Sequence, residues 1–268
     1  MKYALLDTDF ISKTYTVSID ENNRLIDRVL EMPGYSFVCH EQMVAELKRH
    51  NSSVSLWLEE KIKSGIIDKY TDERILKEMS ELYFQLAPHQ YTNMFKIACD
   101  AFGADYFADH YADLDTLNYR NIPAATYIKK LNELEQNIGS GNNLGEIKAY
   151  ILLQWLENQL GDQLFYFCSD DKDARNGVLV IDGINVHCIT LVSAYQRLHV
   201  ESKYTYENAL PYINAILDYF SAHGQMNIRV IEASRIGRHM RVPCEQVFRE
   251  IYEDRYEELA NGLLKYRK

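Results

Sequence analysis

The stretch YALLDTDF, residues 3–10, decides the fold. Tyr3 to Leu6 is a short, uninterrupted apolar run that stops abruptly at Asp7, Thr8 and Asp9. Apolar residues at consecutive positions bury both faces of a strand, so this run reads as an interior strand of a parallel sheet whose carboxyl end meets solvent. Working outward, a second strand is expected over Tyr35 to Cys39, after the turn signal Pro33-Gly34, feeding a helix through Met43, Val44 and Leu47. Leu164 to Cys168 and Asn185 to Ile189 supply two more strands. Ahead of them the loop Gly139 to Gly145 opens a helix over Glu146 to Asn158, with Ile147, Ile151, Leu152 and Trp155 on its apolar side. Strands joined by helical crossovers predict the α/β class, a three-layer α/β/α sandwich around a central, mainly parallel sheet.

Two segments exceed what that architecture needs. Residues 53–134 carry long helical patterns and no convincing strand, which reads as a helical insertion. Residues 201–268 read as a helical C-terminal extension, with helices over Tyr206 to Ser221 and from about Pro243 to Leu264, separated by a break at His223-Gly224. The expected division is therefore a domain over 1–200 and an extension over 201–268.

With 47% hydrophobic and 25% charged residues, the chain has ordinary globular composition, which argues against disorder and fibrous folds. A net charge of −10 argues against a protein that coats nucleic acid through a broadly basic surface. The tail from Glu201 balances ten Lys and Arg against ten Asp and Glu, so the acidic excess lies in the first 200 residues. Five scattered cysteines without a CxxC pair give no disulfide framework or zinc pattern. Twenty tyrosines are expected mostly half buried with the hydroxyl wet. The apolar start is interrupted by Asp7 and Asp9, too early for a signal peptide or membrane span, so a cytoplasmic protein without a membrane partner is expected.

In open parallel sheets ligands bind beyond the carboxyl ends of the strands, which singles out acids placed there. Asp7 ends the first strand. Glu46 lies about two turns into the helix after the second, Glu146 opens a helix after a glycine-rich loop, and Asp170 and Asp171 follow a third strand in CSDDKDAR. Each also has a plain structural reading: Asp7 as a helix cap, Glu46 as a solvated helix acid, Glu146 as the third-position partner of an Asn143 cap, and Asp170 and Asp171 as turn acids. The loop GSGNNLGE lacks the Gly-Lys-Ser/Thr of a phosphate-binding loop, and no histidine pair has metal-ligand spacing.

Taken together, LLDTDF, MVAEL, LGEIKA and CSDDKDAR resemble, in order, the motifs of the PIN-domain family of metal-dependent nucleases, over the first 200 residues. The resemblance implies that Asp7, Glu46, Glu146 and Asp171, with Asp170 beside them, hold Mg²⁺ or Mn²⁺, and that Thr8 and Ser169 support them through their hydroxyls. It implies a hydrolase, an endonuclease acting on nucleic acid, with single-stranded RNA ahead of DNA. Two rival readings stand beside it. In a haloacid-dehalogenase-like phosphatase Asp7 would be the nucleophile and Asp9 the acid. In a non-catalytic scaffold of the same fold the acids would be idle. The run Arg235, Arg238, Arg241 is a candidate for contacting nucleic-acid backbone, against the plain reading of a solvated face. A homo-oligomer and an inhibitory protein partner are both compatible with the sequence.

Overall fold

The computed structural model describes residues 1–103, 105–136, 138, 143–161, 163–180, 186–224, 227–230, 240–261 and 263–264. The protein is α/β, with a central five-stranded parallel sheet flanked by helices. In chain order its strands are β1 (Lys2–Leu6), β2 (Tyr35–His40), β3 (Ile67–Tyr70), β4 (Leu164–Cys168) and β5 (Val186–Ile189). Their spatial order is β3-β2-β1-β4-β5, so β1 is central, as its sequence predicts. Ala4, Leu5 and Leu6 are each at most 1% exposed, the burial on both faces that an interior parallel strand requires.

Strand β3 corrects the reading of 53–134 as wholly helical. Its sequence is IDKY, with only Ile67 and Tyr70 buried and Asp68 and Lys69 between them. A four-residue edge strand with charges in its middle carries no apolar run, which is how edges resist further pairing.

The chain divides into two compact units. The first comprises Met1–Phe37, Tyr166–Lys172 and Val186–Lys268. It holds the helix Thr8–Thr16, which buries Phe10, Ile11 and Thr14, and the helices Leu191–Ser202, Tyr206–Ala222, Cys244–Tyr252 and Tyr256–Ala260. Residues 201–268 are not purely helical. Asn227–Val230 pairs antiparallel with Met240–Pro243, and Ile228 opposite Val242 turns inward. The last expected helix is also broken, because Asp254 takes the left-handed conformation at φ 56°. Both hairpin strands have four residues, too few to show a period.

The second unit comprises Val38–Phe165 and Asp173–Asn185. Around the helix Leu144–Leu160 it gathers Glu41–His50, Asp72–Tyr83, Ala87–Asp100 and Ala124–Gln136, with Tyr91, Phe95, Tyr111, Tyr127 and Trp155 fully buried. Several tyrosines thus depart from the wet-hydroxyl expectation and end on internal partners. The Tyr127 hydroxyl lies 2.8 Å from Thr92 Oγ1, and Tyr150 donates to the Ala174 carbonyl at 2.6 Å. Among the described residues no helix is long and apolar enough to cross a membrane.

Candidate carboxylate centre

The strand order reverses between β1 and β4: the chain steps one way through β2 and β3, then returns to the other side of β1. Such a switch point opens a crevice at the carboxyl ends of the two strands, because their following connections run to opposite sides. Asp7 follows β1, and Ser169, Asp170 and Asp171 follow β4. Two backbone bonds set their register. Asp7 N donates to the Cys168 carbonyl at 3.0 Å, and Ser169 N donates to the Ile189 carbonyl at 3.1 Å.

Asp7 is only 7% exposed. It does cap the helix Thr8–Thr16, its Oδ1 accepting from Thr8 N at 2.8 Å, with Thr8 Oγ1 at 3.5 Å. Capping engages one oxygen. The other, Oδ2, accepts from the fully buried Ser169 hydroxyl at 2.7 Å, and Ser169 Oγ in turn accepts from Asp171 N at 3.2 Å. Ser169 therefore holds Asp7 by its side chain and the Asp171 backbone by the same oxygen, while Thr8 supports Asp7 mainly through its N–H. Asp171 is exposed.

Asp170 is committed elsewhere. Its Oδ1 accepts from Leu191 N at 3.1 Å and its Oδ2 meets Lys13 Nζ at 2.9 Å. Lys13 also meets Asp9 Oδ2 at 2.9 Å. Burial opposes the Lys13 charge, but the Asp170 and Asp9 carboxylates outweigh it and push its pKa up to about 12. Burial raises the Asp9 carboxyl above its ordinary value, against the pull of Lys13. Of the neighbouring pair Asp170 and Asp171, the structure thus uses Asp170 as an anchor. Lys13 was missed in the sequence, although it stands one helical turn after Asp9, the spacing that lets the two side chains meet.

The second unit brings Glu46 to the residue before Glu146. A Cβ on Gly145 would lie 2.5 Å from Glu46 Oε1 and 2.8 Å from Oε2, so the carboxylate occupies the space that any other residue's side chain would need. Gly145 and Glu146 are in the first turn of the helix Leu144–Leu160, where the helix dipole favours negative charge. The Asn143 side chain makes no cap hydrogen bond there, so the plain reading of Glu146 as its capping partner does not hold. Glu46 and Glu146 are half-buried.

The acids are thus grouped as Asp7 with Asp171 through Ser169 in one unit, and Glu46 beside Glu146 in the other. Among the described residues no group of three or more His, Cys, Asp or Glu side chains is gathered to hold a metal ion. The four acids nonetheless offer one kind of atom, carboxylate oxygen, with a buried hydroxyl supporting Asp7. Such oxygens suit hard, oxygen-seeking Mg²⁺ or Mn²⁺. Gly145 leaves room for the Glu46 carboxylate to lie against the helix start. Of the basic run, Arg235 and Arg238 lie outside the described residues, and Arg241 is exposed on the strand Met240–Pro243, in register with Arg229.

Comparison with known proteins finds no matching family model, no matching curated protein and no matching solved structure.

Proposed function

We propose that the protein is a metal-dependent nuclease of the PIN type, hydrolysing phosphodiesters in nucleic acid, with single-stranded RNA as the preferred substrate. The observation that carries this reading is the hydrogen-bonded chain Asp7, Ser169, Asp171 at the switch point of the sheet. Asp7 and Asp171 are the ligands offered by β1 and β4, and the family resemblance adds Glu46 and Glu146. A bound Mg²⁺ or Mn²⁺ supplies activation of water and stabilisation of the leaving oxygen. The chain's own contribution is orientation. Ser169 fixes the rotamer of Asp7, the cap at Thr8 N fixes its remaining oxygen, and Lys13 withdraws Asp170 and Asp9 from the cation.

The test is cleavage of a mixed RNA pool by purified protein with Mn²⁺ or Mg²⁺, against an EDTA control and the variants Asp7→Asn and Asp171→Asn. Asparagine still caps a helix, so Asp7→Asn keeps the fold. Both variants are expected to be inactive. Metal-independent cleavage, or full activity in either variant, would refute the reading. One observation favours the phosphatase alternative: burial holds the Asp9 carboxyl above its ordinary value two residues after Asp7, which suits a general acid. Loss of activity in Asp9→Asn with full activity in Glu146→Gln would select it.

A further inference from the structure

The unit that carries Glu46 and Glu146 also buries an ionic cluster that the proposed chemistry does not use. Asp72, the first residue of the helix after β3, is 5% exposed. Its Oδ2 accepts from Lys148 Nζ at 2.5 Å, while Oδ1 accepts the Tyr91 hydroxyl and lies 3.2 Å from His40 Nε2. Lys148, 1% exposed, also meets Glu135 Oε1 at 2.5 Å. Burial disfavours charge on Asp72, but Lys148 together with His40 outweighs it and holds the carboxyl well below the usual range. Burying such a cluster is costly, and hydrophobic replacements of buried ion pairs are often at least as stable. Stability alone therefore does not account for it.

What the cluster joins is specific. His40 ends β2 and caps the helix Glu41–His50 that carries Glu46, its Nδ1 accepting from Gln42 N at 3.2 Å. Its Nε2 lies at ion-pair distance from Asp72 Oδ1, outside hydrogen-bond geometry. Lys148 lies two residues beyond Glu146 on the helix Leu144–Leu160. One carboxylate thus ties the root of the Glu46 helix to the first turns of the Glu146 helix, and between those anchor points the Glu46 carboxylate rests on Gly145.

We propose that Asp72 is a positioning residue, which by holding His40 and Lys148 together sets Glu46 beside Glu146 to receive one divalent cation. This rests on the metal-dependent reading above. The experiment is titration of Mn²⁺ into the intact chain, followed by the paramagnetic resonance of the free ion, with circular dichroism as the control for folding. The wild type is expected to bind Mn²⁺ in a step that Glu46→Gln and Glu146→Gln weaken. Asp72→Asn, which keeps the volume and an acceptor for Tyr91, is expected to weaken that step about tenfold or more, as loss of groups that orient metal ligands does. His40→Asn provides the second route, because asparagine preserves the helix cap but cannot reach Asp72. It is expected to weaken the same step, and it carries the test if Asp72→Asn fails to fold. Wild-type affinity in the folded Asp72→Asn or His40→Asn protein, with weakened binding in Glu46→Gln and Glu146→Gln, overturns the inference alone. Wild-type binding indifferent to Glu46→Gln and Glu146→Gln overturns the metal reading, and the inference with it.

Discussion

Replacing Gly145 by alanine separates the placement of Glu46 from the stability of the fold. The added Cβ would lie 2.5 Å from Glu46 Oε1, and ordinary contact begins near 3.4 Å, so the carboxylate must retreat by about 0.9 Å. Two stability effects oppose each other. Alanine in place of a helical glycine contributes up to about 1 kcal/mol, whereas overpacking costs about 1–3 kcal/mol. The clash falls on the far end of a flexible side chain, which puts its cost at the low end. The net change is then within about 1 kcal/mol, or roughly 2–4 °C in Tm for a chain of this size. A reacting group displaced by 1 Å can cost about 100-fold in rate. Gly145→Ala is therefore expected to melt within a few degrees of the wild type yet cleave about 100-fold more slowly at saturating Mn²⁺. Initial rates on a fluorescent single-stranded RNA, alongside thermal melts, measure both. A rate within threefold of the wild type would refute the role given to Glu46, and a melting point lowered by more than ten degrees would refute the reasoning about packing.

Ser169→Ala removes the donor to Asp7 Oδ2, which is buried, and the acceptor of Asp171 N, which is part-buried. A loss of about 1–3 kcal/mol in urea unfolding is expected, together with weaker Mn²⁺ binding. Because the Asp72 carboxyl is depressed in the folded protein, its stabilising contribution is present above the unfolded carboxylate pKa and is lost as pH falls through the folded value. The stability gap between wild type and Asp72→Asn should consequently be full at neutral pH and narrow on acidification below about pH 4. A gap independent of pH between 7 and 3 would contradict this. Replacing Arg235, Arg238 and Arg241 together by alanine is expected to weaken RNA binding and flatten its salt dependence, with turnover at saturating substrate largely unchanged. An unchanged salt slope would return these arginines to a solvated face.

The sheet was legible where burial leaves a mark on composition. β1 and β4 are apolar at consecutive positions, so their place and their acidic ends could be read directly. β3 could not, because an edge strand of four residues with Asp68 and Lys69 at its centre resembles a loop. Missing β3 also hid Asp72, whose importance depends on starting the helix that follows it. The partners of Asp170 were equally closed to sequence, since Lys13 and Leu191 N stand 157 and 21 residues away. The contact between Glu46 and Gly145 left a faint signal, a glycine immediately before an acid at a helix start, and one sequence does not reveal what such a glycine accommodates.

The hydrogen bond from Ser169 to Asp7 joins residues 162 positions apart. A ribosome adding about 5–20 residues per second needs roughly 8–30 s to travel between them. Throughout that interval Asp7 lacks the serine that orients it and the strand whose carbonyl receives its N–H. The bond between the two strand ends, and with it the orientation of Asp7, is therefore completed only after synthesis has passed the second strand of the pair.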